Sequence, residues 1–341
     1  MSITINENIF AENKLKSWPI VAIVVLNWNN YMITNRCIES MRYLKYPNYI
    51  IYLVDNCSSD NSMQRLVNDF KTISKINFVF NEANLGFAAG CNRGIKKAID
   101  EGADYILLLN NDCIVFKNDF LNKAIVLAES DKKIGILGGK ILFWPEKNRI
   151  WSTGGYISFW FSEKHIGYNK IDKGQYDIIA DRQFISGALM LVKRNVFKKI
   201  GLLPEAYFFG KEEWEFSALA IKSGYRLIYC PDFSIYHEAS NSHDWTDPTY
   251  VYNGALSKII FKKRNFSKFK YFLWYTLYKV YVKYLFNIKY YFQKSKYLQG
   301  IPAETIRQAM LFAVNDAPST EKITENMLSK FRRDLNIANK V

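Results

Sequence analysis

Tyr105-Ile106-Leu107-Leu108-Leu109-Asn110-Asn111-Asp112-Cys113-Ile114-Val115 sets an apolar run against a polar triplet. The run is too short for a helix and shows no polar alternation, so it reads as a strand buried on both faces, as in a parallel sheet. The triplet then stands at the carboxyl end of that strand, the edge at which open α/β sheets bind ligands. Asp112 is there either as a metal or ligand contact or as a cap on the turn that follows, and the stretch alone leaves both open.

Upstream, Val21-Ala22-Ile23-Val24-Val25-Leu26 has the same strand character and ends in Asn27-Trp28-Asn29-Asn30. Cys37, Ile38, Met41 and Leu44 follow at helical spacing until Pro47 stops them. Ile50 to Val54 is a second strand, ending in Asp55-Asn56-Cys57-Ser58-Ser59-Asp60, where Ser59 or Asp60 is expected to cap a helix running to about Lys71. Ile76 to Phe80 is a third, and after a turn over Asn81 to Gly86 a helix from about Ala88 to Asp100 leads into the Tyr105 strand. Strands and helices alternating in this way form right-handed βαβ units on a parallel sheet. Asn27, Asn29, Asp55 and Asp112 fall at successive strand ends. Any one of them reads as an ordinary turn residue, but together they could converge on one ligand.

Downstream, Gly138-Gly139, Trp151 to Gly155 and Phe159-Trp160-Phe161 suggest short strands and loops. Phe184 to Val192 reads as a strand with Ser186-Gly187-Ala188 at its middle, a gap suited to close approach of a substrate or another backbone. Glu212-Glu213-Trp214-Glu215 opens a helix that runs to Gly224. The helix dipole favours carboxylates there, which would be reason enough for them; an occluded carboxylate also gains the raised pKa that suits a general base. After Arg226 to Cys230 a last strand leads to His237, one of only three histidines, which is either structural or a ligand.

The 341 residues suffice for about two domains, and 49% hydrophobic content argues for an ordered globular protein. Five scattered cysteines without C-x-x-C spacing fit a reduced compartment better than a disulfide framework or a zinc site. Met1 to Trp18 lacks the basic start and apolar core of an export signal. The formal charge is +14, yet 11 Lys or Arg and no acid lie between Lys258 and Lys296, so the rest of the chain is near balance. No G-x-G-x-x-G follows the first strand and no G-x-x-x-x-G-K-[ST] occurs, which argues against dinucleotide and P-loop enzymes. The glycine-bearing Asn84 to Gly94 instead precedes a helix whose amino end could approach a ligand closely.

Val24 to Asn30, Val54 to Asp60, Asn84 to Gly94, Leu109 to Asp112, Ser186-Gly187-Ala188, Gly210 to Phe216 and Tyr236-His237 together resemble glycosyltransferase family 2, the inverting nucleotide-sugar transferases of GT-A fold. The likeness covers about Val21 to Ser240 and is closest to rhamnosyltransferase-like and galactofuranosyltransferase-like members. It implies an α/β fold with a Rossmann-like, mostly parallel mixed sheet flanked by helices. Residues 1–18 are then an extension, 19–255 the GT-A domain and 256–341 a basic, aromatic helical region. It also implies that Asp55 contacts the nucleotide base, with Asn27, Asn29, Asn84, Gly86 and Asn110 around the donor. Asp112, last in the D-x-D pattern, would bind Mg²⁺ or Mn²⁺ on the diphosphate, with His237 as a further ligand. Glu213 would be the general base, and Ser186, Gly187, Glu212 and Trp214 would lie near the sugar and acceptor. Two departures stand out: Asn110 replaces the first acid of D-x-D, and Glu213 replaces the commoner Asp.

From Phe261 to Tyr297 aromatic and aliphatic clusters alternate with lysines. As a helix, Tyr271 to Ile288 would set Lys279, Lys283 and Asn287 on one face, which describes an interfacial helix rather than a bilayer span. Its alternative is a helix packed on the catalytic domain or on a partner subunit. The reading that follows is a transferase peripheral on the cytoplasmic face of the membrane. It would move sugar from a UDP- or dTDP-sugar, rhamnose among the candidates, to a glycan or polyprenyl-diphosphate-linked acceptor in surface or cell-wall polysaccharide synthesis. An anionic membrane surface is an expected partner and nucleic acid is not. Two rivals are a basic nucleic-acid- or membrane-binding protein without catalysis and a sugar-phosphate nucleotidylyltransferase. The latter should carry a glycine-rich loop where Asn27-Trp28-Asn29-Asn30 stands.

Overall fold

The computed structural model describes residues 17–157, 163–238, 247–285 and 301–335. The strand expected at Phe159-Trp160-Phe161, residues 286–297 of the basic segment and nearly all of the 1–18 extension lie outside the described residues. The chain clusters into two compact units: Met1–Asn84 with Ala89–Leu203 and Phe216–Ser242, and Leu85–Ala88 with Pro204–Glu215 and His243–Val341.

The first unit is built on strands β1 (Val21–Asn27), β2 (Tyr49–Asp55), β3 (Ile76–Phe80) and β4 (Tyr105–Leu109), alternating with helices α1 (Tyr31–Ser40), α2 (Ser62–Phe70) and α3 (Phe87–Asp100). β1 runs parallel to both β2 and β4, and β2 runs parallel to β3, as the βαβ pattern requires. Every residue of β4 is buried, which is why its sequence shows no alternation. The chain continues through β5 (Cys113–Ile114), α4 (Phe120–Ser130), β6 (Ile134–Phe143), β7 (Ile150–Ser152), β8 (Gly155–Ile157), β9 (Glu163–His165), β10 (Ala180–Asp181), β11 (Leu189–Lys193), α5 (Arg194–Ile200), α6 (Glu212–Lys222) and β12 (Arg226–His237). The main sheet has the order β10-β12-β6-β11-β4-β1-β2-β3, with β5 on β12 and β7 on β6; β8 and β9 form a separate pair. β11 is antiparallel to both β4 and β6, while β12 is parallel to β6. The sheet is therefore mixed, with its parallel half at the amino-terminal side of the sequence.

Four local expectations change. Gly138-Gly139 lies within the ten-residue β6, a longer strand than the short ones expected there. A Cβ on Gly139 would sit 1.6 Å from the Phe233 carbonyl oxygen, so glycine is what lets β6 and β12 meet there. The strand expected from Phe184 begins only at Leu189, because Ser186 to Leu189 forms a turn closed by the Leu189 amide on the Ser186 carbonyl at 3.2 Å. α1 stops at Ser40, short of Pro47. α2 is entered through Asn61 in a left-handed conformation, and Asp60 contributes by accepting from the Ser62 amide at 2.9 Å.

The second unit contains α7 (Pro248–Asn265), α8 (Lys268–Val280) with a π-helical turn at Tyr281–Leu285, α9 (Ala303–Asp316) and α10 (Glu325–Asp334). Tyr252 joins three of them: its ring stacks on Phe331 at 4.3 Å and its hydroxyl donates to Asp316 at 2.6 Å. The boundary expected at 255/256 falls inside α7, and residues 204–215 cluster with the C-terminal helices. Among the described residues, no helix is long and apolar enough to cross a membrane.

Candidate active site

At the carboxyl edge of the parallel strands, Asn27 and Asp55 sit opposite each other in the β1–β2 register. Asn27 is fully buried and its amide is engaged at both ends. Its nitrogen donates to Asp55 Oδ1 (3.2 Å), Ser58 Oγ (3.0 Å) and Ser62 Oγ (3.1 Å), and its oxygen accepts from Thr34 Oγ1 (2.7 Å). Thr34 in turn accepts from Asn111 Nδ2 at 2.8 Å, which extends the network to the end of β4. Asn27 is thus committed to shaping this edge. Asp55 accepts from the Ser58 hydroxyl (2.6 Å) and amide (3.1 Å), and a carboxylate has about four acceptor sites, so acceptor capacity remains for a ligand. Asn29, in a left-handed conformation, accepts from the Ser59 amide at 2.8 Å. Asn84 accepts from Asn56 Nδ2 at 2.8 Å, which joins the strand-three turn to the same edge.

The turn after β4 closes with the Cys113 amide donating to the Asn110 carbonyl at 3.1 Å. β5 then pairs antiparallel with the end of β12, matching Cys113 to His237. That pairing brings Asp112 Oδ1 to 3.0 Å from His237 Nε2, with both side chains buried. His237 Nδ1 makes no hydrogen bond and Nε2 meets only Asp112, an unfavourable state for a buried imidazole unless something else binds it. Trp151 meets the ring edge-on at 4.6 Å, so an aromatic contact sets its orientation. Asp112, Cys113 and His237 place ligand atoms within 4.8 Å of one another. Burial drives the Cys113 thiol well above its ordinary value, and Sγ donates to the Ala188 carbonyl at 3.5 Å. Sulfur is a soft donor poorly matched to a hard cation, which leaves carboxylate and imidazole as the donor set. That pair fits Mg²⁺ or Mn²⁺, with the remaining positions open to substrate oxygens.

Asn110 Oδ1 is shielded and makes no hydrogen bond, so it too is available to a ligand. The Asn110 amide donates to the Ala188 carbonyl at 3.3 Å, which draws the buried Ser186-Gly187 turn alongside. Glu238 closes the far side through its amide on the Asp112 carbonyl (2.9 Å) and an ion pair to Arg36.

The second unit holds the other expected residues. Gly86 is left-handed (φ +79°), and a Cβ there would lie 2.2 Å from the Phe208 carbonyl oxygen, while the adjacent Phe87 amide donates to that oxygen at 2.7 Å. Glu212, Glu213 and Glu215 occupy the first turn of α6. Burial, followed by the neighbouring Glu213 charge, pushes Glu212 up to about 8; burial also raises Glu213. Oε2 of each is shielded without a hydrogen bond. Trp214 is buried, and Lys211 lies over its ring at 4.9 Å. Thr34 and Arg36 carry no signal in the sequence, because their types are common in helices and their partners are remote in the chain; Ser58 and Trp151 stand there only within longer stretches, with no role of their own.

The profile of Glycosyl transferase family 2 matches residues 22–201, more than half of the sequence. The chain belongs to that family. It is 29% identical over 201 residues to the O-antigen chain rhamnosyltransferase RfbN of Salmonella typhimurium, covering 59% of each protein. It is 22% identical over 194 residues to the dTDP-rhamnosyl transferase RfbF of Shigella flexneri, covering 57% of this chain and 61% of that one. The matched region thus spans about three fifths of these curated relatives. In fold the chain is similar to the mannosyltransferase PcManGT of Pyrobaculum calidifontis, solved with GDP-Man and Mn²⁺, at a TM-score of 0.55, 12% identity and 91% coverage of both chains. Family membership favours the transferase over the nucleic-acid-binding and nucleotidylyltransferase readings.

Proposed function

We propose that this protein is a metal-dependent, inverting glycosyltransferase that moves a sugar, with rhamnose the first candidate, from a UDP- or dTDP-sugar to a glycan or polyprenyl-diphosphate-linked acceptor in polysaccharide synthesis. The observation that carries the reading is the buried Asp112–His237 pair, with His237 Nδ1 left without a hydrogen bond, at the sheet edge of a family-2 fold. Asp112 and His237 hold the cation, and Asp55 and Asn110 contact the donor. When bound, Mg²⁺ or Mn²⁺ supplies positive charge against the departing diphosphate. Glu213 accepts the proton of the attacking hydroxyl, and burial of its carboxylate raises its basicity. A single displacement inverts the anomeric centre. Ser186 and Gly187 are assigned to the sugar, and Glu212 and Trp214 to the acceptor.

The second part of the proposal concerns location. On α8 and the turn after it, Phe269, Phe272, Leu273, Leu277, Val280 and Tyr284 are exposed at helical spacing, on a segment whose charges are all lysines. An apolar stripe edged by cations suits an anionic lipid surface, which would hold the enzyme peripherally on the inner face of the cell membrane.

The test is thermal stabilisation by a panel of UDP- and dTDP-sugars with Mn²⁺. A cation-dependent shift that disappears in Asp112→Ala is expected, with a weaker one in His237→Ala; no shift with any donor would sink the transferase reading.

A further inference from the structure

Residues 205–215, which lead into the carboxylates of α6, are tied to the C-terminal helices within the second unit. The tie at Glu215 is the firmest. Its buried carboxylate receives Arg264 Nε at 2.9 and 3.0 Å on its two oxygens and Arg264 Nη2 at 2.8 Å, and the Tyr207 hydroxyl also donates to it. Asn253 Nδ2 donates to the Phe209 carbonyl at 2.8 Å, the Ile323 amide to the Ala206 carbonyl at 3.0 Å, and Lys322 pairs with Glu205 at 2.9 Å. Glu215 lies one helical turn beyond Glu212, so fixing it fixes the rotation of the turn that carries Glu212 and Glu213. A guanidinium fork is suited to this, because two parallel contacts set direction as well as distance.

We propose that Arg264, acting through Glu215, is a positioning residue for the Glu212–Glu213 carboxylates, so that the C-terminal helices are a working part of the base machinery. Its consequence for turnover rests on the transferase reading above; its consequence for the order of the loop does not. In a catalyst, displacement of a base by about 1 Å costs on the order of 100-fold, so a loosened turn should be visible in kcat before it is visible in donor binding.

Arg264→Lys and Arg264→Ala should be compared with wild type by three measurements: hydrogen–deuterium exchange of the 205–216 peptide, ¹³C titration of labelled glutamate carboxyls, and kcat against donor KM. Arg264→Lys keeps the charge and loses the fork, which guards against a variant that fails to fold. Expected for both variants are faster exchange confined to 205–216 and a Glu212 titration moving from about 8 towards the ordinary range. The expected kinetic effect is a roughly 10- to 100-fold loss of kcat at nearly unchanged donor KM, smaller in the Lys variant. Unchanged exchange and titration in Arg264→Ala would overturn the proposal, as would an unchanged kcat in a variant whose loop exchanges faster. A wild-type protein that turns over no donor counts against the transferase reading alone, and the exchange and titration then decide the positioning claim.

Discussion

Thr34 shows how much a single side chain carries at the sheet edge. Its hydroxyl donates to Asn27 and accepts from Asn111, so it joins the ends of β1 and β4. Thr34→Val keeps the shape but leaves both amides short of a partner, and we expect a loss of about 1–3 kcal/mol, measurable by urea unfolding. Glu212 makes a prediction of the opposite sign. Its folded pKa, about 8, stands above the ordinary 4.5, so its ionisation destabilises the folded chain increasingly as pH rises through that window. Glu212→Gln should therefore melt higher than wild type by an amount that grows from about pH 4.5 to 8 and then levels, reaching on the order of 1–4 kcal/mol. A melting difference independent of pH would show that Glu212 is not held in its neutral form. With Glu213 as the base, Glu213→Gln should bind donor and lose about 10²–10⁴-fold in turnover. Full turnover in that variant would move the role to another carboxylate.

At the scale of elements, the pairing of β5 with β12 makes the Asp112–His237 pair that we propose as the metal site. β12 runs for twelve residues but β5 has only two, so sequence periodicity gives no hint that Cys113 lies opposite His237. The same scale holds the membrane prediction. Phe269, Phe272 and Leu277 lie on α8 with more than two fifths of each side chain's residue surface exposed. Replacing all three by Ser should release the protein from liposomes containing anionic lipid. Binding of the wild type should also weaken as salt rises, because the lysines act through a screened field. Retained binding in the triple variant would instead assign the stripe to contact with protein.

Across the whole molecule, the division of labour differs from the one the residues suggest in order. Residues 204–215 precede β12 yet cluster with the helices that follow it, through Arg264, Asn253 and Ile323. A chain ending at residue 255 should accordingly leave the 205–215 segment open to proteolysis, whereas the 341-residue chain protects it; equal protection would show that the segment orders without its C-terminal partners. Much of the first unit was legible because parallel strands buried on both faces must be continuously apolar, and β1, β2 and β4 are. The polar strand ends were legible for the same reason, since Asn27, Asp55 and Asp112 interrupt those runs. The sequence alone thus determined the alternation of strand and helix, the edge that carries the polar residues and the family to which they point. Only the tertiary structure decided that Asn27 is spent on the network, that Asp112 meets His237, and that Glu215 is held by Arg264. Those outcomes depend on contacts between residues remote in the chain, where local periodicity carries no information about distance.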